Sequence, residues 1–119
     1  MLSIRTTAAL NSAMADCLPR DLCDVLMRRR DQITENGEYD LSELAHMIVV
    51  EPGDRLTAVE AEAGIPLSDD PSFEFIERHS GGWLEAVVIL SDDGLGIAFF
   101  VPDSNAIDPE LRSVFAPHD

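Results

Sequence analysis

The apolar positions of this chain change period along its length, from helical spacing in residues 19–63 to alternation in residues 73–101. In the first region Leu22, Val25, Leu26 and Ile33 fall on one stripe, while Asp21, Asp24, Arg28, Asp31 and Glu35 lie mostly elsewhere. This spacing predicts a helix over 19–35, with Pro19 in its first turn and Asn36-Gly37 as its stop. Asp24 precedes Arg28 by one turn, the favourable acid-then-base order. Asp40 and Glu43 form an Asp variant of the capping box, flanked by Tyr39 and Leu44 as a hydrophobic staple. Leu41, Leu44, Ala45 and Ile48 then share a face, which predicts a second helix. Met47-Ile48-Val49-Val50 also fits a short buried strand, and Pro52-Gly53 ends either version. Asp54 opens a third helix with Leu56, Val59 and Ala63 inward and Glu60 and Glu62 outward; Gly64 caps it and Pro66 blocks its continuation.

Residues 68–72 are turn-rich, and strands follow. Phe73–Arg78 alternates, although Asp70-Pro71 also suits a short helix start. Trp83–Leu90 and Leu95–Val101 are the clearest strands, joined by a hairpin turn at Ser91-Asp92-Asp93-Gly94. Pro102 ends the second. Both are apolar on two faces. Trp83, Val87 and Ile89 oppose Leu84, Ala86, Val88 and Leu90; Leu95, Ile97, Phe99 and Val101 oppose Gly96, Ala98 and Phe100. Only Glu85 interrupts them. A sheet wetted on one side alternates apolar with polar, so here both sides call for cover. Helices supply one cover. The other comes from the terminal segments, from the chain's own helices, or from a second copy, which makes a homodimer an expectation.

The ends are less patterned. Leu2 and Ile4 suit a short strand and Ala8–Ala15 a helical turn or two, or residues 1–17 form a loose arm. Residues 103–119 read as an irregular tail with a helical turn at Pro109–Val114. The expected fold is a single α+β domain over residues 1–119. In it, N-terminal helices pack on one face of a C-terminal antiparallel meander of three or four strands.

Charge narrows the function classes. The chain has 23 acidic and 8 basic residues, all eight of them Arg, for a net charge of −15. Such a charge repels nucleic acid and anionic membranes, so neither is an expected direct partner. Its origin is open between an Arg-rich codon bias in an acidic cytosolic protein, adaptation to salt, and an acidic surface that imitates a nucleic-acid backbone. No stretch reaches the roughly 20 apolar residues of a membrane span. Ala13-Met14-Ala15 resembles a signal-peptidase site, but Thr6, Thr7, Asn11 and Ser12 break the apolar run that a leader needs. Cys17 and Cys23 have neither the number nor the spacing of a zinc site; free thiols point to a reducing compartment, and the expected location is cytoplasmic.

Candidate chemistry is sparse. Glu43 and His46 stand at E-x-x-H spacing, but only once, so a capping Glu and a half-buried His explain them and no metal site is expected. The segment His79-Ser80-Gly81-Gly82-Trp83, flanked by Glu77 and Glu85, is the other cluster. A His beside acids suits a general base, and paired glycines admit a close backbone approach. The candidate ligand-binding residues are therefore His79, Gly81, Gly82, Trp83 and Glu85, set against a plain hairpin turn with Trp83 at the rim of the core. No catalytic residue and no cofactor is assigned. Ser80-Gly81-Gly82 lacks the glycine spacing of a nucleophile elbow, there is no phosphate loop, and Gly94-x-Gly96 leads into a strand. Asp69-Asp70 and Asp92-Asp93 are turn residues, and Arg28-Arg29-Arg30 reads as a solvated helix face. Three functions remain in view. They are a non-enzymatic interaction or regulatory module, a small ligand-binding or enzymatic domain with a pocket at His79, Trp83 and Glu85, and an acidic inhibitor that occupies a basic protein partner. The last requires carboxylates gathered on one face.

Overall fold

A computed structural model describes the chain except residues 17, 37, 42–44, 68–72, 80, 90–95, 105 and 116–119. The described elements run β1 (Leu2–Ile4), α1 (Thr7–Asp16), α2 (Arg20–Ile33), β2 (Ala45–Val49), α3 (Leu56–Ala63), β3 (Phe73–His79), β4 (Trp83–Ile89), β5 (Gly96–Pro102) and α4 (Pro109–Val114). The fold is α+β, as the change of period predicts. The sheet, however, has five strands rather than three or four, in the order β1-β2-β5-β4-β3. The expected meander is its β3-β4-β5 part; β1 is antiparallel to β2, and β2 runs parallel to β5.

Of the two readings of the segment around 47–50, helix or short buried strand, the strand forms, over Ala45–Val49. β2 lies inside the sheet, with His46, Met47 and Ile48 opposite Ile97, Ala98 and Phe99 on one side and β1 on the other. Met47, Ile48 and Val49 are buried, alternating between the two faces of the sheet. A helix cap is worth about 1 kcal/mol. Two ladders of backbone hydrogen bonds and three buried side chains outweigh it, and the β-branched pair Ile48-Val49 suits the pleat. Glu43 and Leu44, which carried the capping signal, lie outside the described residues. So do the turn at 91–94 and the acidic pair Asp69-Asp70.

Helices cover both faces of the sheet, not one. On one side Ile48, Val88, Ile97 and Phe99 meet Leu56 and Val59 of α3 and Leu111 of α4. On the other, Met47, Val49, Ala98 and Phe100 meet Leu10 of α1 and Leu22, Val25 and Leu26 of α2. The two apolar faces read from the strands are real, and the chain covers them itself. The open sheet face from which a homodimer was expected is therefore closed by α1 and α2.

Both termini contribute to this cover. Residues 2–4 form an edge strand, and α1 brings Leu10 into full burial. Within residues 103–119, read as an irregular tail with a helical turn at Pro109–Val114, that turn forms as α4, and described residues around it belong to the core. Asp108 caps α4 by accepting a hydrogen bond from the Glu110 N–H at 3.0 Å, Pro109 occupies the first turn, and Ile107, Leu111 and Phe115 are buried. The Phe115 ring lies 5.2 Å from that of Phe99 and 5.5 Å from that of Phe73. Helix α3 closes at Gly64, whose φ of 74° is the left-handed conformation that glycine tolerates.

Phe115→Ala is expected to cost about 3–5 kcal/mol, as for other fully buried aromatics, read as a fall in the urea midpoint. A loss within about 0.5 kcal/mol, typical of a surface site, would return residues 103–115 to the status of a tail.

Candidate functional site

Glu85 is the one acidic side chain that the described core encloses, at 1 % exposure. It sits on β4 with its neighbours alternating around it. Register pairs Glu77 with Glu85 and His79 with Trp83, so Phe75, Glu77 and His79 of β3 share a face with Trp83, Glu85 and Val87 of β4. This face looks toward α2. A buried carboxylate is costly unless charge and hydrogen bonds compensate it. Arg29 of α2 supplies both: its Nε donates to Glu85 Oε2, and its Nη2 donates to Oε1 at 3.0 Å. The guanidinium also donates to Gln32 Oε1 at 2.7 Å and lies 4.9 Å from the centre of the Phe75 ring. His79 completes the set, with Nε2 3.0 Å from Glu85 Oε1. The carboxylate only accepts, so Nε2 carries the proton in this contact.

Sequence reasoning brought His79 and Glu85 together correctly and missed Arg29. The run Arg28-Arg29-Arg30 is not a solvated face throughout. Arg28 is exposed, but Arg29 is committed to Glu85, and Arg30 reaches Asn11 Oδ1 of α1 at 2.8 Å and Asp31 Oδ1 at 3.1 Å. A signal was present. Glu85 alone interrupts two apolar strand faces, and a buried acid demands a cationic partner from the covering helix.

The glycines serve packing at this site. A side chain at Gly81 would meet Cβ of Asp21 at 2.5 Å, so the β3–β4 turn approaches the start of α2, and its bare backbone admits that helix. Gly82 has a φ of 87°, and its carbonyl accepts from the Asp103 N–H at 2.8 Å, tying the turn to the end of β5. Trp83 is partly buried against the α1–α2 side of the core. The candidate set thus converges structurally, but around a helix rather than around an open cavity.

His46 lies on β2, so the helical E-x-x-H geometry does not apply to it. Its Nε2 is 2.6 Å from Ser3 Oγ on β1, and Glu62 Oε1 of α3 stands 3.9 Å from the same nitrogen. Ser, His and Glu meet here in the wrong order for a nucleophile. In a catalytic triad the acid binds the imidazole nitrogen remote from the serine; Glu62 approaches the serine side and accepts from Ser3 itself. Burial lowers the pKa of His46, Arg5 lowers it further, and Glu62 opposes them. The Ser3 hydrogen bond lowers the pKa of Glu62, aided by Arg5 and His46 against some desolvation.

A cleft of about 290 Å³ lies on the other side of the same strands. Leu84 and Val101 form its floor with Pro102 and Pro109, and Arg78, Asp103, Arg112 and Ser113 supply its polar groups. Arg78 is opposite Leu84 in the β3–β4 ladder and forms an ion pair with Asp103, its Nε 3.1 Å from Oδ2. Of the residues proposed from sequence none lines this cleft; it adjoins them through the sheet.

Exposed acidic residues occur on several elements. Asp16, Asp21 and Asp24 are exposed on the α1–α2 layer, Glu110 on α4, and Glu74 and Glu77 along the β3 edge. No protein family, no curated protein sequence and no solved structure matches the chain.

Removing one partner of a buried pair strands the other, at about 3–5 kcal/mol, whereas replacing both with apolar groups is often neutral. Arg29→Met alone is therefore expected to lower the urea-unfolding free energy by that amount, and the double substitution Arg29→Met with Glu85→Met to recover most of it. Equal losses in the single and double variants would refute this coupling.

The His46 cluster predicts acid sensitivity. A lowered imidazole pKa means that the unfolded chain binds more protons as pH falls below about 6.5. Glu62 adds a loss as pH falls from about 4.5 through its own lowered pKa. Stability is expected to decline over this range, and His46→Gln to flatten the part of the decline that begins below about pH 6.5, measured by urea unfolding at each pH.

Proposed function

We propose that this chain is a non-enzymatic binding domain that takes an anionic group on a small apolar body into the cleft between Arg78 and Arg112. The observation carrying this reading is the convergence of two arginines, from β3 and α4, on one cleft with apolar walls. In a chain of net charge −15 with only eight basic residues, two of them in one concavity stand out. Guanidinium forks match carboxylate and phosphate oxygens. Leu84, Val101, Pro102 and Pro109 offer an apolar surface beside them, and the Ser113 hydroxyl a further donor. The volume, about 290 Å³, is near the lower limit of ligand pockets, which favours a small organic anion over a nucleotide.

A binding role also agrees with the state of the other polar clusters. His79 and Glu85 are engaged with each other and with Arg29, and His46 with Ser3. The long-range field of the protein opposes anions, so recognition rests on the short-range contacts in the cleft.

The test uses benzoate and phenyl phosphate as probes, followed by amide chemical shifts. Saturable shifts are expected for Arg78, Val101, Asp103 and Ser113, with a dissociation constant of about 0.1–1 mM given so few ligand atoms. Arg112→Ala or Arg78→Ala should weaken binding about tenfold. Binding that is unchanged by both substitutions, or absent at about 10 mM probe, a weakness below that expected of such ligands, would reject the cleft as the site.

A further inference from the structure

We infer that Glu77, His79 and Glu85 form a divalent transition-metal site, with Zn²⁺ as the ion that best fits the donor set. This inference is independent of the arginine cleft, which lies across the sheet. Three observations support it. The donor atoms of the three side chains all lie within 4.8 Å of one another. Strand geometry arranges them: Glu77 and His79 are two residues apart on β3 and so share a face, and Glu85 is directly opposite Glu77 on β4. Finally, His79 Nε2 and Glu85 Oε1 are 3.0 Å apart. Two ligands of one ion at about 2.0–2.2 Å have a mutual spacing of roughly 3.0–3.5 Å, so this pair needs little adjustment. Glu77 is exposed and has the freedom to close the remaining gap.

Charge points the same way. With neutral His79 the two carboxylates and Arg29 sum to one negative charge at a partly enclosed site, since the side chains of His79, Glu85 and Arg29 are 11 %, 1 % and 19 % exposed. The Nε2 proton now fills the space between His79 and Glu85. A cation would take its place on Nε2, with the single ring proton of neutral His79 moving to Nδ1, so that no net proton leaves the site. Arg29 stays as an outer partner, because Glu85 Oε2 keeps its hydrogen bond from Arg29 Nε while Oε1 exchanges its bond from Nη2 for the ion. One imidazole with two carboxylates suits Zn²⁺; the nitrogen disfavours Mg²⁺ and Ca²⁺, and the absence of sulfur from the set disfavours Cu⁺. Three protein ligands leave a fourth position for water or a ligand. Such an ion would clamp edge strand β3 to β4 directly beneath α2.

The test is calorimetric titration of the full chain with ZnCl₂, and with MgCl₂ as the comparison. The expected result is one Zn²⁺ per chain at a dissociation constant of about 10 μM or tighter. MgCl₂ should give no such binding. His79→Ala and Glu77→Gln should each weaken Zn²⁺ binding at least tenfold. Glu77→Gln changes an exposed side chain, so it isolates ligand loss from folding, and circular dichroism verifies the fold of His79→Ala. In the wild type the His79 ring resonances should shift on addition of Zn²⁺ and those of His46 should not. Absence of one-to-one uptake at about 100 μM Zn²⁺, well above the affinity expected of this donor set, would overturn the assignment. So would uptake that both variants retain, which would place the ion on other acidic groups.

Discussion

Phe99 and Phe100 are adjacent on β5, point to opposite sides of the sheet, and are both fully excluded from water. The rest of the structure follows from that constraint. A strand buried on both faces must sit inside a sheet, and the sheet must lie between two layers. The chain meets the requirement by dividing its helices. The segment before β2 supplies α1 and α2 for the Phe100 side; α3 and the C-terminal α4 supply the Phe99 side. Neither residues 2–16 nor residues 107–115 can then be an appendage. Burying a large aromatic is worth about 1.5–3 kcal/mol, so removing either cover would expose a substantial share of the marginal stability typical of such a domain.

Against this apolar frame, the Arg29–Glu85 pair acts mainly on specificity. A buried ion pair gives little net stability, since desolvation offsets the Coulombic gain. An unmatched buried carboxylate is strongly unfavourable, however, and only one placement of α2 brings Arg29 to it. Apolar contacts from Leu22, Val25 and Leu26 tolerate sliding; a two-pronged guanidinium contact does not. The pair thus fixes the position of α2 along the sheet, and the bare backbone at Gly81 lets the β3–β4 turn close against that helix.

The β3–β4 ladder consequently presents two different chemistries on its two sides. Glu77, His79 and Glu85 face α2 with an excess of negative charge; Arg78 and Leu84, the residues next to them in sequence, face the cleft bounded by α4. Strand alternation makes this separation automatic. A cation and an organic anion could be held on opposite sides of the same two strands without sharing a side chain, and Asp103 links the sides, because it pairs with Arg78 and its N–H holds the Gly82 carbonyl.

Much of this was determined locally. Helix α2, helix α3 with its Gly64 stop, the three C-terminal strands and the two-sided character of β4 and β5 were legible, because period, caps and turn residues act over a few positions. His79 and Glu85 were also legible as a pair, being flanks of one short turn. Tertiary structure decided the rest. The 40–48 segment carries a helix-start signal, and β2 forms there because β1 and β5, both distant in sequence, offer it two ladders. The helical turn at Pro109–Val114 was legible, but a six-residue helix has little intrinsic stability, and its place in the core depends on Phe115 packing against Phe73 and Phe99. Arg29 looks like its neighbours in a basic run. What distinguishes it is the angle at which α2 meets Glu85, and the cleft between Arg78 and Arg112 likewise arises only when β3 and α4 are folded against one sheet. Local patterns set where side chains point along an element; which element they meet is set by long-range packing.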